Sequence, residues 1–171
     1  MDKKLVEEFN RQITKEFYSS YLYLSMAAYF STETLDGFTH WMKIQAQEEL
    51  LHGIKIFDYL NERGEIVTLS QIDKPPTIFS SVEDVFKKTL AHEKTVTESI
   101  NNLYSLACKV NDNACSIFLQ WFINEQVEEE KNANDILGKL KYVNSEPAGI
   151  LLLDKDLSQR PLPVLDPKTQ G

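Results

Sequence analysis

The chain has 171 residues, 42% of them hydrophobic, which suits one domain with a sizeable core. Its formal net charge of −8 argues against nucleic acid or an anionic membrane as a partner and favours the handling of cations. No apolar run approaches the roughly 20 residues of a membrane span, and the charged N-terminus is unlike a signal peptide, so we expect a cytoplasmic protein. The two cysteines, Cys108 and Cys115, form no metal or redox motif, and we expect both to be small buried side chains.

Long helices are the predicted elements, because the chain has only six glycines and long stretches separate them. A serine at position 80 or 81, followed by two acidic residues, predicts a helix start, and Gly64 directly after Arg63 predicts a helix end. In chain order, the predicted helices cover residues 3–32, 36–63, 82–111 and 113–143, and a short fifth helix covers 146–157. The remaining C-terminal residues are predicted to form an irregular tail.

The connection between the second and third helices, residues 64–80, is long and contains two prolines. A helix of 28 residues is about 42 Å long, whereas 17 extended residues reach roughly 56 Å. The connection can therefore run the whole length of a bundle, which makes the second and third helices parallel. The sequence predicts an all-α four-helix bundle with one long crossover and a short fifth helix at the C-terminus.

Each of the four long helices has an apolar stripe with steps of three and four residues, which is typical of helices packed nearly parallel. An acidic residue interrupts every stripe near its middle, and the second helix adds a histidine in the same stripe. These residues are Glu16, Glu49, His52, Glu93 and Glu129. The spacing predicts that all five side chains point into the bundle.

Buried glutamates on four helices indicate a metal site. One such glutamate could reach solvent or pair with a lysine, but four at similar depth would repel one another strongly, and no lysine or arginine lies on the stripes. A single imidazole among several carboxylates suits iron or manganese better than structural zinc, which recruits cysteine and more histidine. The number of ligands fits two metal ions that share bridging carboxylates.

Four sequence motifs give the chain a resemblance to a known family. They are EFYSSYLYLSMA at 16–27, AQEELLHGIKIFDYLNERG at 46–64, HE at 92–93, and FLQWFINEQVEEEK at 118–131. With them the chain resembles the non-haem ferritins of bacteria and archaea over nearly its whole length. This resemblance implies a ferritin-like bundle with two iron ions per subunit and a third iron site.

The resemblance also implies a role for individual residues. Tyr23 matches a tyrosine that supplies an electron to the irons, the alternative being a core tyrosine bonded to a carboxylate, and Glu49 matches the carboxylate that bridges the two irons. The implied iron ligands are Glu16, Glu49 and His52 for the first site, Glu93, Gln126 and Glu129 for the second, and Glu48, Glu125 and Glu128 for the third.

Two departures from related families refine this expectation. Bacterioferritins and rubrerythrins have a second Glu-x-x-His motif on the fourth helix, where this chain has Gln126 and Glu129. Relatives that bind haem have methionine directly after the metal-binding glutamate of the second helix, where this chain has Leu50. We therefore expect no haem.

The function implied is that of a ferroxidase and iron-storage subunit, which oxidises Fe²⁺ with O₂ or H₂O₂ and stores a ferric mineral inside a homo-oligomeric shell of 24 subunits. Residues 1–145 are expected to form the bundle with the di-iron site, and residues 146–171 the helix and tail used in assembly. One alternative is a rubrerythrin-like di-iron peroxidase or oxidase without storage. Another is a non-enzymatic helical bundle with its acids on the surface.

Overall fold

The fold is taken from a computed structural model, which describes residues 1–144 and 146–163. Over these residues the chain forms five helices: α1 (Lys3–Thr32), α2 (Asp36–Glu62), α3 (Val82–Lys109), α4 (Asn113–Val143) and α5 (Pro147–Leu157). The predicted elements are confirmed, and no predicted boundary is wrong by more than two residues. The tail of the predicted assembly segment, residues 164–171, lies outside the described residues.

Side chains cap the starts of three of the five described helices. The carboxylates of Asp2 and Asp112 and the hydroxyl of Ser81 each accept a hydrogen bond from a backbone N–H in the first turn of the helix that follows. Gly64 after α2 and Asn144 after α4 take left-handed backbone conformations, with φ of 71° and 46°. This conformation turns the chain out of the helix at both positions.

The helices pair as an antiparallel bundle with one parallel neighbour. Short connections make α1 antiparallel to α2 and α3 antiparallel to α4. Ser19 of α1 contacts His92 of α3, and Gln12, two turns earlier, contacts Ser99, two turns later. Since α1 therefore runs antiparallel to α3 as well, α2 and α3 are parallel, as the length of the crossover predicts.

The crossover between α2 and α3 runs along α1. Near one end of the bundle, the Asn10 side-chain amide donates to the carbonyl of Ile66, and near the other end the Ser25 hydroxyl donates to the carbonyl of Pro76. These bonds attach an irregular segment to α1 at two points that are half the length of that helix apart. The long connection is thus part of the fold and not an inserted loop.

A layer of buried polar side chains divides the apolar core into two clusters. The Phe9 cluster contains Leu5, Phe9, Ile13, Ile56, Leu60, Val96, Ile100, Leu103, Ala107, Cys115, Leu119 and Phe122. The Phe30 cluster contains Leu22, Tyr23, Met26, Ala27, Phe30, Leu35, Phe38, Trp41, Met42, Ala46, Phe79, Val85, Phe86, Ile136, Leu140, Leu153 and Leu157. None of the helices in the described part of the chain has the length and apolar character that crossing a membrane requires.

Helix α5 packs partly on its own bundle. Leu153 and Leu157 are buried in the Phe30 cluster, whereas Leu151 and Leu152 are 61% and 70% exposed. The Asp154 side chain also accepts a hydrogen bond from the backbone N–H of Phe38, in the first turn of α2. The apolar run of α5 therefore has one face for the bundle and one face that remains uncovered.

The two cysteines differ from the expectation. Cys115 is buried in the Phe9 cluster as predicted, but Cys108 is exposed. Cys108 lies in the last turn of α3, where the helix reaches the surface. The expectation of two buried thiols is wrong for Cys108. So close to the end of a helix, helical spacing does not decide whether a side chain faces the core or solvent.

Candidate metal centre

Five side chains that could bind metal meet in the polar layer between the two apolar clusters. Helix α1 supplies Glu16, α2 supplies Glu49 and His52, α3 supplies Glu93 and α4 supplies Glu129, and none of the five is more than 6% exposed. The inward direction predicted for all of them is confirmed. Each helix reaches the layer near its middle, so rigid helical backbone positions every one of these groups.

Glu16, Glu49 and His52 form the first half of the layer. One carboxylate oxygen of each glutamate and one ring nitrogen of His52 all lie within 4.8 Å of one another. Gln12, one turn before Glu16, donates to its Oε1 over 2.8 Å. The sequence singled out these three groups as a metal-ligand set, and the structure brings them together.

Three oxygens in this first half are buried without a partner. Within residues 1–144 and 146–163, the buried side-chain oxygens and nitrogens without a hydrogen bond are Glu16 Oε2, Glu49 Oε1 and Glu49 Oε2. Leaving a buried carboxylate unpaired is costly, and a cation is the ligand that these oxygens lack. These free oxygens, together with the nearby His52, are therefore suited to bind a divalent metal ion.

Glu93 and Glu129 form the second half of the layer, and three of their four carboxylate oxygens accept hydrogen bonds. The Tyr23 hydroxyl donates a short hydrogen bond to Glu93 Oε1, and Gln126 Nε2 donates to Glu93 Oε2 over 3.2 Å. Gln45 Nε2 donates to Glu129 Oε2 over 2.5 Å. Gln126 thus contacts its partner through the amide nitrogen, which is a donor and cannot at the same time bind a cation.

The electrostatics of the layer favour protonated carboxyl groups in the absence of metal. Burial raises the pKa of Glu16 and of Glu49 well above the ordinary value, and each has other carboxylates close by that raise it further. Burial, with a contribution from Glu93, raises the pKa of Glu129 to about 8. Because Glu93 and Glu129 act on the pKa of Glu49, and Glu49 acts on that of Glu16, the two halves form one connected site.

The three acids of the predicted third site lie beside the layer and are less buried. Glu48 and Glu125 are half-buried and Glu128 is exposed. Burial raises the pKa of Glu48, with smaller contributions from Glu128 and Glu125, so these carboxylates share one neighbourhood. Arg160 lies shortly after the end of α5, and its guanidinium forms an ion pair with Glu48 at 2.5 Å.

Residues 6–143 match the sequence profile of the ferritin-like domain family. The chain is also 39% identical over 160 residues to the bacterial non-heme ferritin of Staphylococcus epidermidis, an alignment that covers 94% of this chain and 96% of that protein. It is 41% identical over 160 residues to the bacterial non-heme ferritin of Bacteroides fragilis, covering 94% of this chain and 99% of that protein.

The chain belongs to the ferritin family.

Solved ferritin structures agree with this assignment. The open-pore ferritin of the archaeon Archaeoglobus fulgidus superposes with a TM-score of 0.93 at 45% identity, covering 94% of this chain and 99% of that one. A form of the same ferritin that was closed by mutagenesis gives a TM-score of 0.94 at 45% identity, covering 95% of this chain and 99% of that one. The predicted ferritin-like bundle is confirmed.

The sequence reasoning missed three residues of this ferritin centre. Gln12 and Gln45 each lie four positions before a glutamate of the layer, and this Gln-x-x-x-Glu spacing was the available signal. Arg160 gave no comparable signal, because 112 positions separate it from Glu48 and no helical period relates the two. Only the folded position of α5 brings them together.

Proposed function

We propose that this ferritin oxidises Fe²⁺ at the paired carboxylate layer and stores the product as a ferric mineral. The observation that carries the proposal is the set of three unpartnered carboxylate oxygens on Glu16 and Glu49, beside His52, in the middle of a bundle. Oxygen-rich sites with one imidazole suit iron. The bacterial relatives named non-heme ferritin support the same conclusion.

In this proposal the two halves of the layer each bind one Fe²⁺ as substrate. Glu16, Glu49 and His52 bind the first ion, and Glu49 extends to the second ion because its charge interacts with both halves. Glu93 and Glu129 bind the second ion once it displaces the hydrogen bonds that they accept from Tyr23, Gln126 and Gln45. Gln126 must then rotate so that its amide oxygen, and not the nitrogen, faces the metal.

Two ions held by one set of carboxylates allow a two-electron reaction. Each Fe²⁺ loses one electron, and O₂ gains two electrons and two protons to become H₂O₂, or H₂O₂ gains two electrons and two protons to become two waters. The carboxyl groups supply protons, because binding of a cation forces groups with raised pKa to ionise. We propose that Tyr23, whose hydroxyl donates to Glu93, supplies one of these two electrons when only one Fe²⁺ is bound, and loses its phenolic proton as it does so.

We propose that the oxidised iron passes Glu48, Glu125 and Glu128 on its way to a cavity. These acids are more exposed than the layer, so a cation bound there is held less tightly. The cavity requires an assembly, and we propose that residues 146–171 provide its contacts, since Leu151 and Leu152 are exposed on α5. We propose that the shell has 24 subunits, which the ferritin relatives suggest.

The first test of this function is an anaerobic titration with Fe²⁺ followed by exposure to O₂. We expect binding of at least two Fe²⁺ ions per chain, fast oxidation in stopped flow, and an assembled particle that retains much more iron than two ions per chain. Binding of fewer than two ions per chain contradicts the paired site. Fast oxidation without retained iron points instead to the rubrerythrin-like alternative without storage.

Assembly is tested by substitutions made separately on the uncovered face and on the buried face of α5. Replacing Leu151 and Leu152 together by lysine should dissociate the shell, because the change places charge on the uncovered face without touching the core. The control, Leu153→Ala, should lower the free energy of unfolding by about 2–5 kcal/mol and leave the assembly intact. Light scattering that shows only monomers or dimers of the unmodified protein contradicts the shell.

A further inference from the structure

The ion pair of Arg160 is the feature that the proposed function does not explain. Arg160 follows the last turn of α5, yet its side chain is only 15% exposed and lies against α2. Its Nη2 donates to Glu48 Oε2 over 2.5 Å and its Nη1 donates to Gln45 Oε1 over 2.9 Å. The guanidinium carbon lies 4.4 Å from the ring centroid of Trp41.

The backbone at this position is also anchored. His40 Nε2 forms a hydrogen bond with the carbonyl oxygen of Arg160 over 2.8 Å. A planar guanidinium that lies over an aromatic ring and bridges two acceptors is oriented by both kinds of contact. Contacts with α2 therefore hold both the side chain and the backbone carbonyl of Arg160, although it lies beyond the last helix.

Arg160 reaches the metal centre through two separate contacts. The first is the carboxylate of Glu48, which is an acid of the third site in the proposed function. The second is the side-chain amide oxygen Oε1 of Gln45, whose Nε2 donates to Glu129 in the second half of the layer. With Gln45 Oε1 held by Arg160, the amide can only present its nitrogen to Glu129. One guanidinium thus occupies an acid of the third site and orients a donor to the second.

We propose that Arg160 is a positioning residue that competes with the third iron for Glu48. The inference rests on the proposed function, because it concerns the same metal positions. A cation that binds at Glu48 must first displace the guanidinium, so Arg160 weakens the third position relative to the other two. Iron is then released toward the cavity instead of accumulating beside the layer.

The test is a calorimetric titration of the assembled, iron-free protein with Zn²⁺, which binds oxygen and nitrogen ligands without redox chemistry. In Arg160→Gln, the third Zn²⁺ should bind about three- to tenfold more tightly than in the unmodified protein, with the first ion, bound by Glu16, Glu49 and His52, changed by less than about twofold. Arg160→Lys, which keeps the charge but cannot bridge two acceptors, should fall between the two. An unchanged or weaker third ion in Arg160→Gln overturns the proposal.

A matched control tests whether the effect of Arg160→Gln arises only because α5 is attached less tightly to the bundle. Lys139 of α4 forms an exposed ion pair with Asp156 of α5 at 2.8 Å, and within the described residues it has no hydrogen bond or ion pair with a residue of the centre. Lys139→Gln also removes a cation that holds α5, and it should leave all Zn²⁺ affinities unchanged. If Lys139→Gln tightens the third ion as much as Arg160→Gln, a loosened α5 is the cause and the proposal is overturned.

Trp41 provides a second readout that does not depend on affinity. In a Trp121→Phe background, Trp41 is the one remaining tryptophan of the chain. The third equivalent of Zn²⁺ should change its fluorescence as the guanidinium leaves the ring, and Arg160→Gln should abolish that change. No change at the third equivalent, or the same change in both proteins, counts against displacement.

Failure of this inference can be told apart from failure of the proposed function. If the unmodified protein binds fewer than two Zn²⁺ or Fe²⁺ per chain, the paired site itself is wrong and the role of Arg160 falls with it. If two ions bind with the expected affinities and Arg160→Gln leaves the third ion unaffected, only the role of Arg160 is wrong.

Discussion

The two halves of the buried layer differ in how their carboxylate oxygens are held. In the first half, Glu49 has no hydrogen bond to either oxygen, and Glu16 has one free oxygen. In the second half, Glu93 accepts from Tyr23 and Gln126, and Glu129 accepts from Gln45. Both halves are equally remote from solvent, so the difference lies in their partners and not in burial.

This comparison indicates an order of binding. A cation in the first half gains contacts with free oxygens and displaces no donor, whereas a cation in the second half must compete with hydrogen bonds that are already made. We therefore expect the first half to fill before the second. The three hydrogen bonds from Tyr23, Gln126 and Gln45 also stabilise the second half in the metal-free fold, whereas the carboxylates of the first half accept one, from Gln12 to Glu16.

Removing the carboxylate that connects the halves should have the largest effect. Glu49→Ala should slow Fe²⁺ oxidation by about 100-fold or more, since even the loss of an outer partner of a metal ligand costs 10–100-fold. The metal-free variant should be as stable as the unmodified protein or more stable, because a buried group with unpaired oxygens is gone. Stopped-flow absorbance and thermal unfolding measure the two effects.

Glu98→Ala is the control for this change, because Glu98 is an exposed glutamate on α3. It should leave both the oxidation rate and the stability unchanged. Oxidation by Glu49→Ala at nearly the unmodified rate would exclude Glu49 as the shared ligand and with it the paired site.

The order of binding can be tested by one substitution in each half. Glu16→Gln should weaken the first divalent ion by about 10–100-fold, because it removes a ligand from the half that fills first. Glu93→Gln should leave the first ion within about threefold and weaken the second. Calorimetry with Zn²⁺ gives both constants. Equal losses for the first ion in the two variants would show that the free oxygens do not set the order.

Much of this centre could be predicted from the sequence because it lies on long helices. Helical spacing identified the inward face of Glu16, Glu49, Glu93 and Glu129, since a helix keeps a constant relation between position and direction. Neither the different partners of the two halves nor the contact between Arg160 and Glu48 could be predicted in this way. Those contacts join different helices or the tail, and they depend on how the elements pack.

The short helix α5 shows the same limit. Residues 150–153 form an uninterrupted apolar run in the sequence, but helical spacing does not tell which side of it the bundle covers. Leu153 is buried and Leu152, its neighbour, is 70% exposed. Eleven residues give only three turns, so a small rotation about the helix axis changes which leucines are covered.

The pH dependence of stability should reveal the protonated state of the second half. The pKa of Glu129 rises from an ordinary 4.5 to about 8 on folding, so the folded state binds more protons than the unfolded state between these values. The contribution of Glu129 to the stability of the metal-free protein is therefore fully present below pH 4.5 and is lost as the pH rises toward 8. We expect a melting temperature lower by at least about 2–4 °C at pH 8.5 than at pH 5.5.

Glu129→Gln should flatten this dependence, because glutamine cannot ionise and keeps a similar shape. Glu98→Gln, on the exposed face of α3, is the control and should preserve the slope. A metal-free protein that becomes more stable from pH 5.5 to 8.5 would show that the carboxyl groups of the layer are ionised in the folded state.

The smallest effect is expected outside the layer, at the exposed acid of the third group. Glu128→Ala should leave the first burst of Fe²⁺ oxidation within about twofold, because Glu128 is exposed while every ligand of the paired site is buried. Later turnovers should change, since oxidised iron loses one of the acids on its proposed path to the cavity. Stopped-flow traces with two and with twenty or so Fe²⁺ per chain separate the burst from the later phase. Loss of the burst itself would place Glu128 in the paired site and would require α4 to be rotated about its axis, which the burial of Gln126 and Glu129 on its other face opposes.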